Sequence, residues 1–157
     1  MSVYLDRVRA ENARKASNLA RTRVKTKRAR KGLKKQSKAK IATIQRALWV
    51  ECRRIAKTLY PNDCYTCSQK NLQGSNCQLG HFIHRSVAGA FLKYDLRNMR
   101  FQCFMCNMRR GGMGAEFGER LERDHGKEYV TQLFLDKQKI VKAYPHYEQL
   151  LQQYKEM

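Results

Sequence analysis

Four cysteines stand in two Cys-x-x-Cys pairs, Cys64/Cys67 and Cys103/Cys106, on either side of a Gly80-His81 step, and Asn107 directly follows the last. Each pair presents two thiolates from one tight turn. Together the pairs supply the four soft ligands of a closed tetrahedral zinc site. The stretch between them is longer than in a compact zinc ribbon. The competing readings are two disulfides or four buried thiols. Cysteines two residues apart seldom bridge within a structural framework, and a cytosolic chain more often uses this pattern for metal or redox work. Cys52 falls on the apolar stripe of a predicted helix and reads as a buried thiol acting as a small hydrophobe. Cys77 has no assignment.

One imidazole and two amides follow in a fixed order: Gly80-His81, then Asn98, then Cys103-x-x-Cys106-Asn107. This order resembles the HNH, or His-Me finger, nucleases. In that family two strands and a helix, often stitched by zinc knuckles, hold one divalent ion against the scissile phosphate. The resemblance implies that His81 is the general base that activates water. It makes Asn98 the residue that hydrogen-bonds backbone to fix the histidine loop, and Asn107 the ligand of the catalytic metal.

The residue types suit that chemistry. An imidazole titrating near neutrality can accept a water proton, while Mg²⁺ or Mn²⁺ bound through oxygen polarises the phosphate and stabilises the leaving 3′ oxygen. Metal and base must lie on opposite sides of the phosphorus for in-line displacement, a separation that a zinc-stapled hairpin and helix would set. Taken alone, His81 reads equally as a core or zinc-supporting histidine, and Asn98 as a turn cap. The resemblance, with Asn98 and Asn107 at the family's spacing, implies the catalytic reading for His81 and keeps Asn98 structural.

A closer resemblance runs from about Ile41 to Val141. The cysteine pair, Gly80-His81-Phe82, Leu96-Arg97-Asn98, Phe101 through Asn107, Arg109 to Gly112 and the Leu121, Gly126, Val130 pattern are similar to the phage NinG/Rap recombination nucleases. What this implies is a structure-selective endonuclease that cuts Holliday junctions and D-loops. The zinc-bound junction resolvase endonuclease VII shows the same Cys-x-x-Cys-Asn step. Two departures stand out. Many HNH enzymes place Asp or His before the catalytic histidine as a second metal ligand, and Gly80 stands there instead. His84, Asp95 or another acid are open as substitutes. Some NinG-like chains also carry extra N-terminal cysteines, where this one has only basic residues.

The chain has 157 residues, a formal charge of +20 and a pI near 10.1, which point to a polyanionic partner, with nucleic acid first. Residues 1–40 hold 15 of the 33 Lys and Arg but only Asp6 and Glu11 among the 13 acids, +13 of the total. This arm, with Lys34 and Lys35, is too poor in apolar residues to bury a core. It is expected to be disordered or a solvated helix that displaces counterions from phosphates, the bland alternative being a solubilising tail. Arg97, Arg100, Arg109 and Arg110 flank the proposed centre as candidate phosphate contacts, and Arg53 and Arg54 could extend the basic surface; the alternative is a solvated cationic face. His84 reads as a surface or phosphate-contacting residue, His125 and His146 as non-catalytic. No apolar run reaches the roughly 20 residues of a membrane span, and Met1–Asn12 lacks a secretory apolar core. The expected location is the cytoplasm of a phage-infected host, without membrane association.

These side chains need elements to position them. Ile41, Ile44, Leu48, Cys52, Ile55 and Leu59 recur at steps of three and four, predicting an amphipathic helix over 41–60 that Pro61 stops. Residues 61–126 form the expected zinc-bound core, too small to hold itself by apolar burial alone. Leu79–Ile83 and Met99–Phe104 read as strands. Helices are predicted over 116–123 and 127–141, separated at Gly126, and from Pro145. Phe117, Leu121, Val130, Leu133, Phe134 and Ile140 read as core, as do Phe82, Tyr94, Phe101 and Phe104 around the knuckles.

The fold class expected is a small α+β zinc-bound ββα-metal domain with flanking helices and a basic arm. The expected function is hydrolysis of branched DNA to 5′-phosphate and 3′-hydroxyl ends, with zinc as structural and Mg²⁺ or Mn²⁺ as catalytic metal. Rival readings are an HNH nicking or double-strand nuclease for packaging or host DNA degradation, and a non-catalytic zinc-knuckle nucleic-acid-binding protein. Two symmetric cuts would call for a homodimer. Other phage recombination or packaging proteins are possible partners.

Overall fold

The computed structural model describes the backbone of residues 2–157 and, before Lys38, the side chains of only Arg14, Ser17, residues 21–27 and Lys31. Lys34 and Lys35 therefore lie outside the described side chains. Two compact units are present, Met1–Ala42 and Thr43–Met157. The first is helical, the early part of α1 (Ser2–Leu59), and its described side chains from Arg14 to Lys40 are exposed. Alanine and the unbranched lysines and arginines lose little rotamer freedom in a helix, which is why so basic a segment can adopt one.

In the second unit the end of α1 carries the predicted stripe. Leu48, Cys52, Ile55 and Ala56 are buried, and Ile44 is half-buried. The helix ends at Leu59, two residues before Pro61, and Leu59 itself is exposed because the stripe has turned away from the core there. Cys52 Sγ lies 3.5 Å from the carbonyl of Tyr94, and Tyr154 donates its hydroxyl to that same carbonyl at 2.8 Å. Burial pushes the Cys52 thiol up to about 12, so it is an inert packing group.

The only sheet among the described residues is a two-stranded antiparallel hairpin, β1 (Gln78–His81) with β2 (Met99–Gln102). Gln78 faces Gln102, Leu79 faces Phe101, Gly80 faces Arg100 and His81 faces Met99. β2 falls within the predicted run Met99–Phe104, and β1 overlaps Leu79–Ile83 but begins one residue earlier, at Gln78, and ends at His81. The α+β class therefore holds, with a strand content of one hairpin in a mostly helical protein. Between the strands lie the short α2 (Gly89–Leu92) and a 3₁₀ turn, Leu96–Asn98, capped by the Asp95 side chain on Arg97 N–H.

After β2 the chain makes a single π-helical turn, Met105–Arg109, and then α3 (Gly114–His125), α4 (Lys127–Lys137) and α5 (Ala143–Glu156). Gly126 separates α3 from α4 at φ +90°, a conformation that favours glycine. Tyr65, Ile83, Ala88, Leu92, Phe117, Leu121, Val130 and Leu133 form the main apolar core, with Phe82 packed against it. Tyr94 and Phe101 are buried as expected. Phe134, Ile140 and Phe104 are corrections: they are exposed by 48%, 99% and 37%. Ile140 lies beyond the end of α4, which stops at Lys137 rather than at Val141. No helix among the described residues is long and apolar enough to cross a membrane.

A cysteine cluster and the cleft beside it

The fold brings Cys64, Cys67, Cys103 and Cys106 together, with all four sulfurs within 4.8 Å of one another. Cys67 and Cys103 are 3.8 Å apart at Sγ, close to the separation that four thiolates at about 2.3 Å from one zinc ion require. Each pair offers backbone donors to sulfur, such as Cys106 N–H to Cys103 Sγ at 3.4 Å. Burial opposes ionisation of Cys64, but hydrogen bonds from Thr66 and neighbouring backbone N–H groups bring it down to about 6. Burial raises Cys106 to about 12. Four thiols this close cannot all ionise without a cation, and the cluster can hold a structural metal such as zinc. Cys77 is outside the cluster; its Sγ lies 4.0 Å from Asn62 Oδ1, and it is buried against the cleft floor.

The cluster staples the loop Asn62–Leu72 to the residues following β2. Tyr65 N–H also bonds the carbonyl of Phe101 at 2.8 Å, so the first knuckle is tied directly to β2. Beside it opens a cleft of about 560 Å³, whose walls include Trp49, Arg53, Gln78, His81, Arg85 and Asn107. Arg53 and Arg85 give this cleft a positively charged lining.

His81 closes β1 and is half-buried in this cleft. Its Nε2 lies 3.0 Å from the backbone carbonyl of Lys93, and its ring stacks on Trp49 at 5.9 Å between centroids. A carbonyl can only accept, so Nε2 carries the proton and Nδ1 keeps its lone pair. Burial, helped by the positive charges of Arg85 and Lys93, depresses the imidazole to about 4 against the pull of the Lys93 carbonyl. The ring is therefore neutral at physiological pH.

Asn98 is fully buried, and its amide is used up by backbone. Ile83 N–H donates to Oδ1 at 2.7 Å, while Nδ2 donates to the carbonyls of Ile83 at 3.0 Å and Leu92 at 3.5 Å. The main-chain carbonyl of Asn98 also accepts from Phe82 N–H at 2.9 Å. These bonds pin the two residues after His81 to the 3₁₀ turn before β2.

Asn107 sits on the π-helical turn directly after the second knuckle. Its Nδ2 donates to Gln78 Oε1 at 2.8 Å, which turns Oδ1 towards Gly80. A Cβ on Gly80 would stand 3.1 Å from Asn107 Oδ1 and would collide with the side chain of Gln102. Glycine at this position is therefore a packing requirement. An amide oxygen beside a neutral imidazole is a fitting donor for a hard divalent cation.

The cationic residues divide. Arg53 lines the cleft, and Arg109 and Arg110 are exposed. Arg100 is a correction: only 4% exposed, its guanidinium donates to the Met99 carbonyl at 2.7 Å and the Tyr60 hydroxyl at 3.1 Å, meets His125 Nε2 at 2.8 Å, and stacks over the Tyr60 ring. All four residues of β2 are buried, and Arg100 is enclosed with them. Arg97, whose side chain is 43% exposed, is bound at Nη2 by Asp95 and Asp136, at 2.6 and 2.7 Å, which offset its charge. Asp95, occupied as cap and ion pair, is no free metal ligand. Arg54 bonds Glu51 and the carbonyl of Tyr154, so it ties α1 to α5. His84 is exposed on the cleft rim and bonds Ser86 at 2.7 Å.

Trp49, Arg85 and Gln102 are the site residues that sequence reasoning missed. Only Gln102 carried a signal, as a polar residue inside a strand predicted to be core. No protein-family model matches the chain, and no curated protein or solved structure matches it either.

Proposed function

We propose that this protein is a zinc-stabilised, metal-dependent DNA endonuclease of the His-Me finger kind, with branched DNA as its substrate. One observation carries the reading: a neutral imidazole held through Nε2, and an amide oxygen turned by its own nitrogen, border the same basic cleft, with Asn98 clamping the segment between them. The order of these residues along the chain is that of the nucleases it resembles. Cys64, Cys67, Cys103 and Cys106 would hold the zinc.

His81 Nδ1 takes the proton from the attacking water. The water oxygen forms a bond to phosphorus as the bond to the 3′ oxygen breaks, and protonation of that oxygen leaves 5′-phosphate and 3′-hydroxyl ends. Lys93 keeps the imidazole in the tautomer that can do this, and Trp49 holds its plane. Arg53 and Arg85 hold phosphates beside the cut. Asn107 Oδ1 would bind Mg²⁺ or Mn²⁺, which when bound supplies charge stabilisation at the phosphate and leaving oxygen. The preference for branched DNA is supported by the resemblance to the NinG/Rap nucleases and by the charge of α1, a sequence-independent attraction for phosphates.

The test is cleavage of labelled four-way junction, D-loop and linear duplex by wild type and His81→Ala, with Mg²⁺ or Mn²⁺ and an EDTA control. Paired cuts in branched substrates that vanish with His81 or with the metal are expected. Tight binding with no cut in any substrate would refute the catalytic reading and leave a zinc-stabilised binding module.

A further inference from the structure

Gln102 is fully buried, yet its Oε1 has no hydrogen-bond partner. Leaving a buried carbonyl oxygen unmade is costly, and native structures seldom tolerate it without an ion or water to meet it. The orientation of this amide is not free. Its Nε2 donates to the carbonyl of Gly112 at 2.8 Å and to Thr66 Oγ1 at 3.1 Å, so the oxygen is forced to the opposite side. That side is Gly80.

The missing side chain of Gly80 leaves the place that Gln102 Oε1 takes. A Cβ there would collide with Gln102 Oε1 and stand 3.1 Å from Asn107 Oδ1, so the two amide oxygens close on the same point beside the Gly80 backbone. Both amide nitrogens are committed elsewhere, to Gln78 from Asn107 and to Thr66 and Gly112 from Gln102. Two amide oxygens beside the same backbone point, with their nitrogens committed elsewhere, are an arrangement that a cation stabilises. The point adjoins the wall of the His81 cleft, to which Gln78, Asn107 and Gly112 all contribute.

We propose that Gln102 Oε1 is a second protein ligand of the catalytic divalent cation, taking the place that a side chain at position 80 would otherwise fill. The inference rests on the nuclease reading above and adds to it a ligand from β2. It gives the ion two neutral amide oxygens rather than a carboxylate, with water completing the shell. Such a site selects a hard ion, Mg²⁺ or Mn²⁺, and binds it weakly, because neither ligand carries charge.

The experiment is a Mg²⁺ titration of the zinc-loaded, full-length wild type, following the side-chain carbonyl ¹³C resonances of Gln102 and Asn107. Both should shift, with one shared midpoint. A shift at Asn107 with none at Gln102 would overturn the inference while leaving the nuclease reading intact. No shift at either would overturn both. A second measurement uses Mn²⁺ affinity by electron paramagnetic resonance, with zinc content and thermal melting as controls on folding. Gln102→Ala should weaken Mn²⁺ roughly tenfold, the scale of losing one supporting group at a metal centre. The double variant Gly80→Asp with Gln102→Ala removes the collision and supplies an oxygen from the other strand, so it should recover the affinity. Unchanged Mn²⁺ binding in a folded Gln102→Ala protein would count against Gln102 as a ligand.

Discussion

Asn98 and Ile83 are locked by a reciprocal pair of hydrogen bonds, Ile83 N–H to Asn98 Oδ1 at 2.7 Å and Asn98 Nδ2 to the Ile83 carbonyl at 3.0 Å. The pair does for the His81 loop what a further strand would do, satisfying both backbone groups of a residue that no ladder reaches. Asn98→Ala would leave the two Ile83 groups buried and unpaired, at a cost of about 2–5 kcal/mol. The expected outcome is a markedly lower melting temperature together with loss of cleavage. A variant that cut normally would mean that His81 does not depend on this clamp.

The Lys93 carbonyl and the burial of His81 predict an unusual pH profile. With the imidazole depressed to about 4, the acid limb of kcat/KM should fall near there rather than at the usual 6.5. Between those values the unfolded chain binds more protons at this position than the folded one. The contribution of His81 to stability is therefore complete above about pH 6.5 and is lost as pH falls towards 4. His81→Ala should cut the rate by roughly 10²–10⁴ and make the remaining stability flatter across that window. An acid limb at 6.5 would show a solvated imidazole and contradict the buried setting.

The two kinds of cysteine should separate cleanly. Wild type is expected to carry one zinc ion per chain by elemental analysis, and stripping it with a thiol-competing chelator should unfold the Asn62–Leu72 loop and the hairpin. Cys106→Ser should lose the ion and the fold. Cys52→Ala, which alters a thiol packed against Tyr94 and Tyr154, should keep full zinc content with a modest loss of stability. Zinc retained in Cys106→Ser would remove that residue from the ligand set.

Most of the scaffold of the site could be read from the chain because it obeys short-range rules. The period of the Leu48, Cys52, Ile55 stripe, the stop before Pro61, the break at Gly126 and the two cysteine pairs each act within a few residues. The bonding role of Asn98, whose partner Ile83 lies 15 residues away, was legible only through the resemblance to the His-Me finger nucleases. The side-chain environments hidden from the sequence are those decided by the burial of both faces of β2 and by long-range partners. Arg100 sits in a strand buried throughout, and Arg97 meets Asp136 across 39 residues of chain. A cluster of arginines looks the same in sequence whether it faces phosphate or carboxylate. The core assignment of Ile140 fails because the predicted helix runs past Lys137, and that of Phe134 because α4 buries Val130, Leu133 and Asp136 and turns the Phe134 position outward. The role of Gly80 was invisible without Gln102, since only the register of β1 on β2 brings them together.

The split among the arginines leads to opposite expectations for two alanine variants. Arg53→Ala or Arg85→Ala removes a charge that lines the cleft and should weaken DNA binding uniformly across sequences. Each should lower the slope of log affinity against log salt by about 0.9 if it neutralises one phosphate. Arg100→Ala should leave that slope unchanged. Its guanidinium spans the Met99 carbonyl, the Tyr60 hydroxyl and His125, so removing it leaves a void and unpaired groups beneath the hairpin. The expected loss is about 2–4 kcal/mol of stability, read as a fall in melting temperature with zinc still bound. A changed salt slope in a fully stable Arg100→Ala protein would place that guanidinium on DNA, against the buried position β2 gives it.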